Sequence, residues 1–150
     1  MNSSSKAFSR PTKDEYYLGI AYAVARRSTC LRRQYGVVIV ANDEIIATGY
    51  NGNPRGDDNC YELGTCLRED ATHNDSGSYY SDCRSVHAEQ NALISAKRSE
   101  MIGATLYIMG IDREASTPIL TAAPCPICMR MIKNAGIARI VNARGDVKCS

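Results

Sequence analysis

Two rhythms of apolar and polar positions alternate along this chain. After the polar run Thr12-Lys13-Asp14-Glu15, residues Tyr17, Ile20, Ala21 and Val24 follow at the spacing of one helix face. Thr12 with a carboxylate three residues on is a capping pattern, so a helix is predicted to begin near Thr12. YGVVIVANDEIIATGYNG then reads as two apolar strands joined by a polar turn at Asn42 to Glu44. His87 to about Arg98 is predicted as a second helix with Ser85 as its cap. ATLYIM, Ala104 to Met109, is a third strand. Pro126 falls in the first turn of a third helix, where its missing N–H costs little, and Gly136 ends that helix. IARIVNA supplies a fourth strand.

The order αββαβαβ contains no repeat, and its second half predicts an α/β fold with a central sheet between helices. Residues 1–10 read as a loose polar tail and 11–150 as one domain. Gly52 to Arg84 is rich in Gly, Asp, Asn and Ser and longer than a compact domain usually leaves irregular. It must contain short helical turns or be pinned by something. Gly110 to Ala123 is a second insertion, just ahead of a cysteine pair.

Composition narrows the partners. No apolar run approaches the roughly 20 residues of a membrane span, and the start lacks the apolar stretch of a signal peptide, so a cytoplasmic protein is expected. The net charge is +2, there is no Trp and only one Phe. Backbone grooves and stacking platforms for long nucleic acid need more of both, which favours a small substrate. An enzyme acting on a base within RNA or DNA is the rival here. Seven cysteines, an odd count without an export signal, point to thiols or metal ligands rather than a disulfide framework.

Cys125 and Cys128, in APCPICMRMI, straddle a predicted helix start. That spacing brings two sulfurs to one ion, and the positive helix end favours thiolates. A redox pair is the alternative use of CxxC. In SVHAEQNAL, His87 and Glu89 cannot face one object from mid-helix, but they can face one that lies beyond the first turn. His87, Cys125 and Cys128 would give an ion three protein ligands and an open position, the catalytic zinc pattern. Glu89 would then stand beside that open position without binding the metal.

HAE followed by PCPIC resembles the zinc-dependent cytidine/deoxycytidylate deaminase superfamily. The likeness extends through RRSTC, YGVVIV, TGYNGNPRG, HAEQNAL and PCPICMRMIKNAGI, and is closest to the dCMP deaminases, including late-competence-type bacterial members. It implies a cytidine-deaminase-like three-layer sandwich with a mixed sheet of four or five strands. It also implies zinc at His87, Cys125 and Cys128, Glu89 as proton shuttle, and hydrolysis of dCMP to dUMP and ammonia. Arg27, Ser28 and Asn51 become the substrate-binding candidates. A homo-oligomer, from dimer to hexamer, and dCTP or dTTP regulators near GYNGNPRG are further implications.

Some members of the superfamily carry a second, structural zinc in these regions. Cys30, Cys60, Cys66 and Cys83 are its expected ligands here, with His73 replacing one cysteine as the leading variant and Cys149 incidental. The chain departs from the family pattern in the insertion at 110–123 and in a short C-terminal end. Both departures leave open the same zinc deamination on another amino-substituted nucleoside, base or modified nucleotide. A zinc-stabilised binding protein without catalysis is the reading from a different class.

Overall fold

The computed structural model describes residues 8–68 and 83–148, so His73 and Cys149 lie outside the described residues. Helix α1 (Lys13–Ala25) starts where predicted: the Thr12 hydroxyl accepts from the Glu15 N–H at 3.1 Å. Strands β1 (Arg33–Ala41) and β2 (Glu44–Tyr50) form an antiparallel hairpin. Its two turn residues, Asn42 (φ 51°) and Asp43 (φ 60°), take the left-handed conformations that suit the twist of a two-residue turn.

Among the described residues of the overlong loop there is one short helix, α2 (Cys60–Leu63). The second predicted helix is divided into α3 (Ala88–Ile94) and α4 (Arg98–Met101). At the break the Ser95 hydroxyl donates back to the Asn91 carbonyl at 2.8 Å, a local bond that competes with helix continuation. The cap of α3 is His87 rather than Ser85. His87 is extended (φ −69°, ψ 153°), and its N–H donates to the Gln90 side-chain oxygen at 2.9 Å.

Strand β3 (Thr105–Asp112) pairs antiparallel with β1, from Arg33 opposite Asp112 to Val40 opposite Thr105. Strand β4 (Thr117–Ile119) folds back on the far end of β3. Helix α5 (Pro126–Ala135) ends at Gly136, whose φ of 87° is the left-handed cap that glycine adopts without strain. It leads to β5 (Arg139–Asn142), parallel to β3, and to β6 (Gly145–Asp146). The sheet order is β2-β1-β3-β5-β6 with β4 on β3. Among the described residues the sheet has six strands, against the four or five expected. The additions are the returning half of the 110–123 insertion and a two-residue strand near the end, both too short to show a period in sequence.

Alternation along the strands sorts the core into two faces. Val38, Val40, Tyr107 and Met109 pack on Tyr17 and Ala21 of α1. Val37, Ile39, Leu106 and Ile108 pack with Ala92 of α3 and Ile132 of α5 on the other side. Both helix layers approach the sheet over a glycine. A Cβ at Gly36 would lie 2.2 Å from the Ala21 carbonyl oxygen, and one at Gly49 would lie 2.3 Å from that of Ala88. Gly49 thus lets α3, which carries the candidate chemistry, sit directly on β2. Among the described residues no helix is long and apolar enough to cross a membrane.

Candidate active site

The N-termini of α3 and α5 meet. His87 is the residue before α3, Glu89 lies in its first turn, and Cys125 is the residue before α5, with Cys128 inside that helix. Because His87 is not itself helical, it and Glu89 serve one site despite their spacing of two. The His87 Nδ1 lies 3.7 Å from the Cys125 sulfur and 3.3 Å from the Cys128 sulfur. These ligand atoms all lie within 4.8 Å of one another. Zinc bonds of about 2.3 Å to sulfur and 2.0–2.1 Å to nitrogen, set tetrahedrally, separate such atoms by roughly 3.6 Å. The observed spacings bracket that value.

The donor chemistry agrees. The Cys128 N–H donates to the Cys125 sulfur at 3.4 Å, so a helix-end amide supports a thiolate there. Burial pushes the Cys128 thiol well above its ordinary range, and the adjacent Glu89 charge and hydrogen bonding with Glu89 push it further. A fully buried thiol beside a carboxylate ionises only with a cation to receive it, and a divalent metal is that cation. Glu89 itself is buried, at 5% exposure. His87, Cys125, Cys128 and Glu89 are thus together, with the carboxylate beside the ligands.

A cavity of about 490 Å3 is lined by His87, Glu89 and Cys125 of this group together with Tyr35, Asn51, Ile108 and Ala123. Ala123 comes from the end of the 110–123 insertion, which therefore forms part of the pocket wall. Asn51 lines the cavity with its amide engaged: Nδ2 donates to the Arg33 carbonyl at 2.9 Å, and the Tyr35 N–H donates to Oδ1 at 2.8 Å. Ser28 is buried beneath, donating to the Asn51 carbonyl at 2.8 Å and accepting from the Cys30 N–H at 3.2 Å. Its hydroxyl shapes the loop. Arg27 is exposed and does not line the cavity. The arginines that do are Arg32, Arg33 and Arg68. Arg33 was detectable from strand parity, since it shares a face with Tyr35, Val37 and Ile39; Arg68 sits in irregular chain that carries no such signal.

Cys30, Cys60, Cys66 and Cys83 line one small apolar cavity of about 30 Å3 next to the larger one. All four are free thiols. Burial pushes the Cys60 thiol up, the Leu67 N–H donating to it pulls it down, and the neighbouring Cys66, Cys30 and Cys83 push it up again. Their sulfurs are less closely gathered than the His87 group, which alone among the described residues meets the 4.8 Å spacing.

The mixed sheet between two helix layers, with metal-competent residues at paired helix N-termini, places the chain in the cytidine-deaminase-like fold class. The family described as the cytidine and deoxycytidylate deaminase zinc-binding region matches residues 11–144, and the chain belongs to that family. Deoxycytidylate deaminase of Mycobacterium phage D29 is 42% identical over 137 residues, covering 89% of this chain and 95% of that protein. The Schizosaccharomyces pombe enzyme of the same name is 38% identical over 134 residues, which span 88% of this chain and 37% of that longer protein. Among solved structures, the dCMP deaminase of cyanophage S-TIM5 in complex with dCMP and dUMP superposes with a TM-score of 0.61 at 29% identity. That superposition covers 89% of this chain and 82% of the phage chain.

Proposed function

We propose that this protein is a zinc-dependent hydrolytic deaminase converting dCMP to dUMP and ammonia. The observation that carries it is the buried Glu89 carboxyl group beside the His87, Cys125 and Cys128 ligand set, with Glu89, His87 and Cys125 lining one cavity. The substrate comes from the relatives, whose names specify deoxycytidylate, and from the similar S-TIM5 enzyme solved with dCMP and dUMP.

His87, Cys125 and Cys128 would hold the zinc, which when bound would acidify water so that a nucleophile is available near neutral pH. The cavity would set the ring with its amine-bearing carbon toward Glu89. Glu89 accepts a proton from the attacking water and delivers it to the adjacent ring nitrogen. It then carries the second proton to the departing amine. A C–O bond forms, the C–N bond breaks, and water plus the aminopyrimidine become the oxo-pyrimidine plus ammonia. Burial of Glu89 keeps these protons from exchanging freely with solvent.

Cys30, Cys60, Cys66 and Cys83 hold a second, structural zinc in this reading, which pins the loop between β2 and α3. Their shared cavity and the Leu67 amide on Cys60 support it. Two zinc ions per chain in metal analysis is the expected result; one ion removes this site. A second cavity of about 270 Å3, lined by Asn53, Pro54, Arg55 and Asn91, is the place for a dCTP or dTTP regulator. Exposed Ile127 and Met131 on one face of α5, with Leu120 nearby in sequence, suit a homo-oligomer between dimer and hexamer.

The test is ammonia release and ultraviolet absorbance with dCMP, deoxycytidine, cytidine and dCTP. Turnover of dCMP above the others is expected. Turnover of another aminated ring without dCMP would keep the chemistry and replace the substrate, and no turnover of any ring would favour a non-catalytic zinc protein.

A further inference from the structure

Among the described residues four polar side chains are buried: Ser28, Asn51, Glu89 and Asn142. Glu89 stands beside the metal ligands, Asn51 lines the cavity and Ser28 supports Asn51. Asn142, the last residue of β5, does not line the cavity. Burying an amide is costly unless its hydrogen bonds are made, so the partners of Asn142 show what it is for.

Its side chain makes two bonds, both to backbone outside its own strand. Nδ2 donates to the Ala122 carbonyl at 2.9 Å, and Oδ1 accepts from the Arg144 N–H at 2.8 Å. A carbonyl only accepts and an N–H only donates, so the amide has one orientation here. Strand parity puts Asn142 on the face of Ile140, which packs in the core shared with α3 and α5. The bond to Ala122 is thus made on the metal side of the sheet. Ala122 is itself buried, and its N–H donates to the Ile119 carbonyl of β4 at 3.3 Å. Both backbone groups of Ala122 are therefore tied down, one to β4 and one to β5.

Ala122 stands three residues before Cys125, and the chain between them is stiff. Pro124 is buried and locks its own φ, while Ala123 and Cys125 each precede a proline, which disfavours helical backbone. Cys125 is extended accordingly, at φ −66° and ψ 166°. On its other side α5 holds it, the Met129 N–H donating to the Cys125 carbonyl at 2.8 Å. A short, stiff segment fixed at Ala122 thus delivers the Cys125 sulfur to a set position, 3.7 Å from the His87 Nδ1.

We infer that Asn142 is a positioning residue for the metal centre: by anchoring the Ala122 carbonyl it presets Cys125 for the ion and so raises zinc affinity. The inference rests on zinc at His87, Cys125 and Cys128, as in the function proposed above. It adds a residue outside the cavity on which that zinc depends.

The experiment measures zinc affinity by competition with a chromophoric chelator, the visible spectrum of the cobalt-substituted protein, and the thermal midpoint. Asn142→Asp keeps the acceptor for Arg144 and removes the donor to Ala122. Pro124→Ala loosens the link to Cys125. Ile140→Val trims the core of the same strand and leaves both bonds in place. Cys125→Ser identifies the binding step that belongs to this centre. Losing a group that orients a metal ligand typically weakens binding by about 10- to 100-fold. Because Asn142 acts through two intervening residues, Asn142→Asp is expected at the low end, about 10-fold, with an altered cobalt spectrum. Pro124→Ala should lose roughly two- to fivefold, the size of a released proline restraint. Ile140→Val should lower the thermal midpoint while keeping the parent's zinc affinity and spectrum. Parent-like zinc affinity in Asn142→Asp, or an equal loss in Ile140→Val, overturns the inference and leaves Asn142 a residue of general stability. Should Asn142→Asp not fold, Pro124→Ala decides alone, and parent-like affinity there overturns the inference. A parent without any zinc step that Cys125→Ser removes overturns the metal centre and this inference together.

Discussion

Asn51 grips Tyr35 from both sides of its peptide: its amide oxygen accepts from the Tyr35 N–H at 2.8 Å, and its own N–H donates to the Tyr35 carbonyl at 3.4 Å. Its amide nitrogen also donates to the Arg33 carbonyl, so its side chain and backbone N–H are both engaged with β1. Asn51→Ala leaves partly buried backbone groups unpaired, at a cost of about 1–3 kcal/mol. The expected result in urea denaturation is a loss of that size. Activity on nucleotide and nucleoside should fall together, because the variant displaces the strand rather than one contact. A stable variant that loses only substrate affinity would make Asn51 a direct ligand instead.

The zinc-competent group was legible in sequence because helix starts and cysteine spacing are local. HAE and PCPIC each announce a helix N-terminus, and tertiary structure only has to bring the two ends together. The pocket was less legible. Arg27 and Ser28 were expected at the substrate, yet Arg27 is exposed outside the cavity lining and the Ser28 hydroxyl is tied to Asn51 and Cys30. Of that motif, the Ser28 hydroxyl supports the backbone that carries Asn51. The insertion at 110–123 hid a strand of three residues, since pairing with β3, not its own periodicity, makes Thr117–Ile119 extended.

Gly49 ties the fold to the chemistry. A Cβ there would lie 2.3 Å from the Ala88 carbonyl and 2.5 Å from the Ala92 nitrogen, both backbone atoms that only a shift of α3 can relieve. Gly49→Ala is expected to destabilise the protein by about 1–3 kcal/mol through overpacking. It should also weaken zinc binding, because His87 precedes Ala88 directly. Competition with a chromophoric chelator measures the second effect. Lost stability with unchanged zinc affinity would show that α3 yields without moving His87.

Asp14 gives the fold an acid-sensitive clasp between α1 and the sheet. Arg139 donates to both its oxygens, at 3.0 and 2.8 Å, and the Tyr107 hydroxyl donates at 2.8 Å. The Arg139 hydrogen bonds hold its carboxyl below the ordinary 3.8; burial opposes them and Tyr107 reinforces them. Between that lowered value and 3.8 the unfolded chain binds more protons than the folded one, so stability rises with pH across the window. The contribution is present above about pH 4 and is lost as pH falls below it. Asp14 is partly exposed, so solvent screening limits it to about 1 kcal/mol or less. Asp14→Asn should be less stable than the parent at pH 6, with the gap closing by pH 2 in denaturant titrations. A gap that stays constant with pH would assign the loss to packing.

Glu89 separates a catalytic zinc protein from a structural one. A closed structural site has no use for a buried carboxylate beside its ligands, whereas proton transfer needs one within reach. Glu89→Gln preserves the side chain's shape and removes its ability to carry a proton. Removing a general acid–base typically costs a factor of about 100 to 10,000. Turnover of dCMP is expected to fall within that range, with zinc content, thermal midpoint and dUMP affinity close to those of the parent. Since Glu89 lies beside the metal ligand Cys128, zinc content is the control that matters most. Full zinc with lost turnover assigns the proton transfers to Glu89. Parent-like turnover assigns them to another group in the cavity.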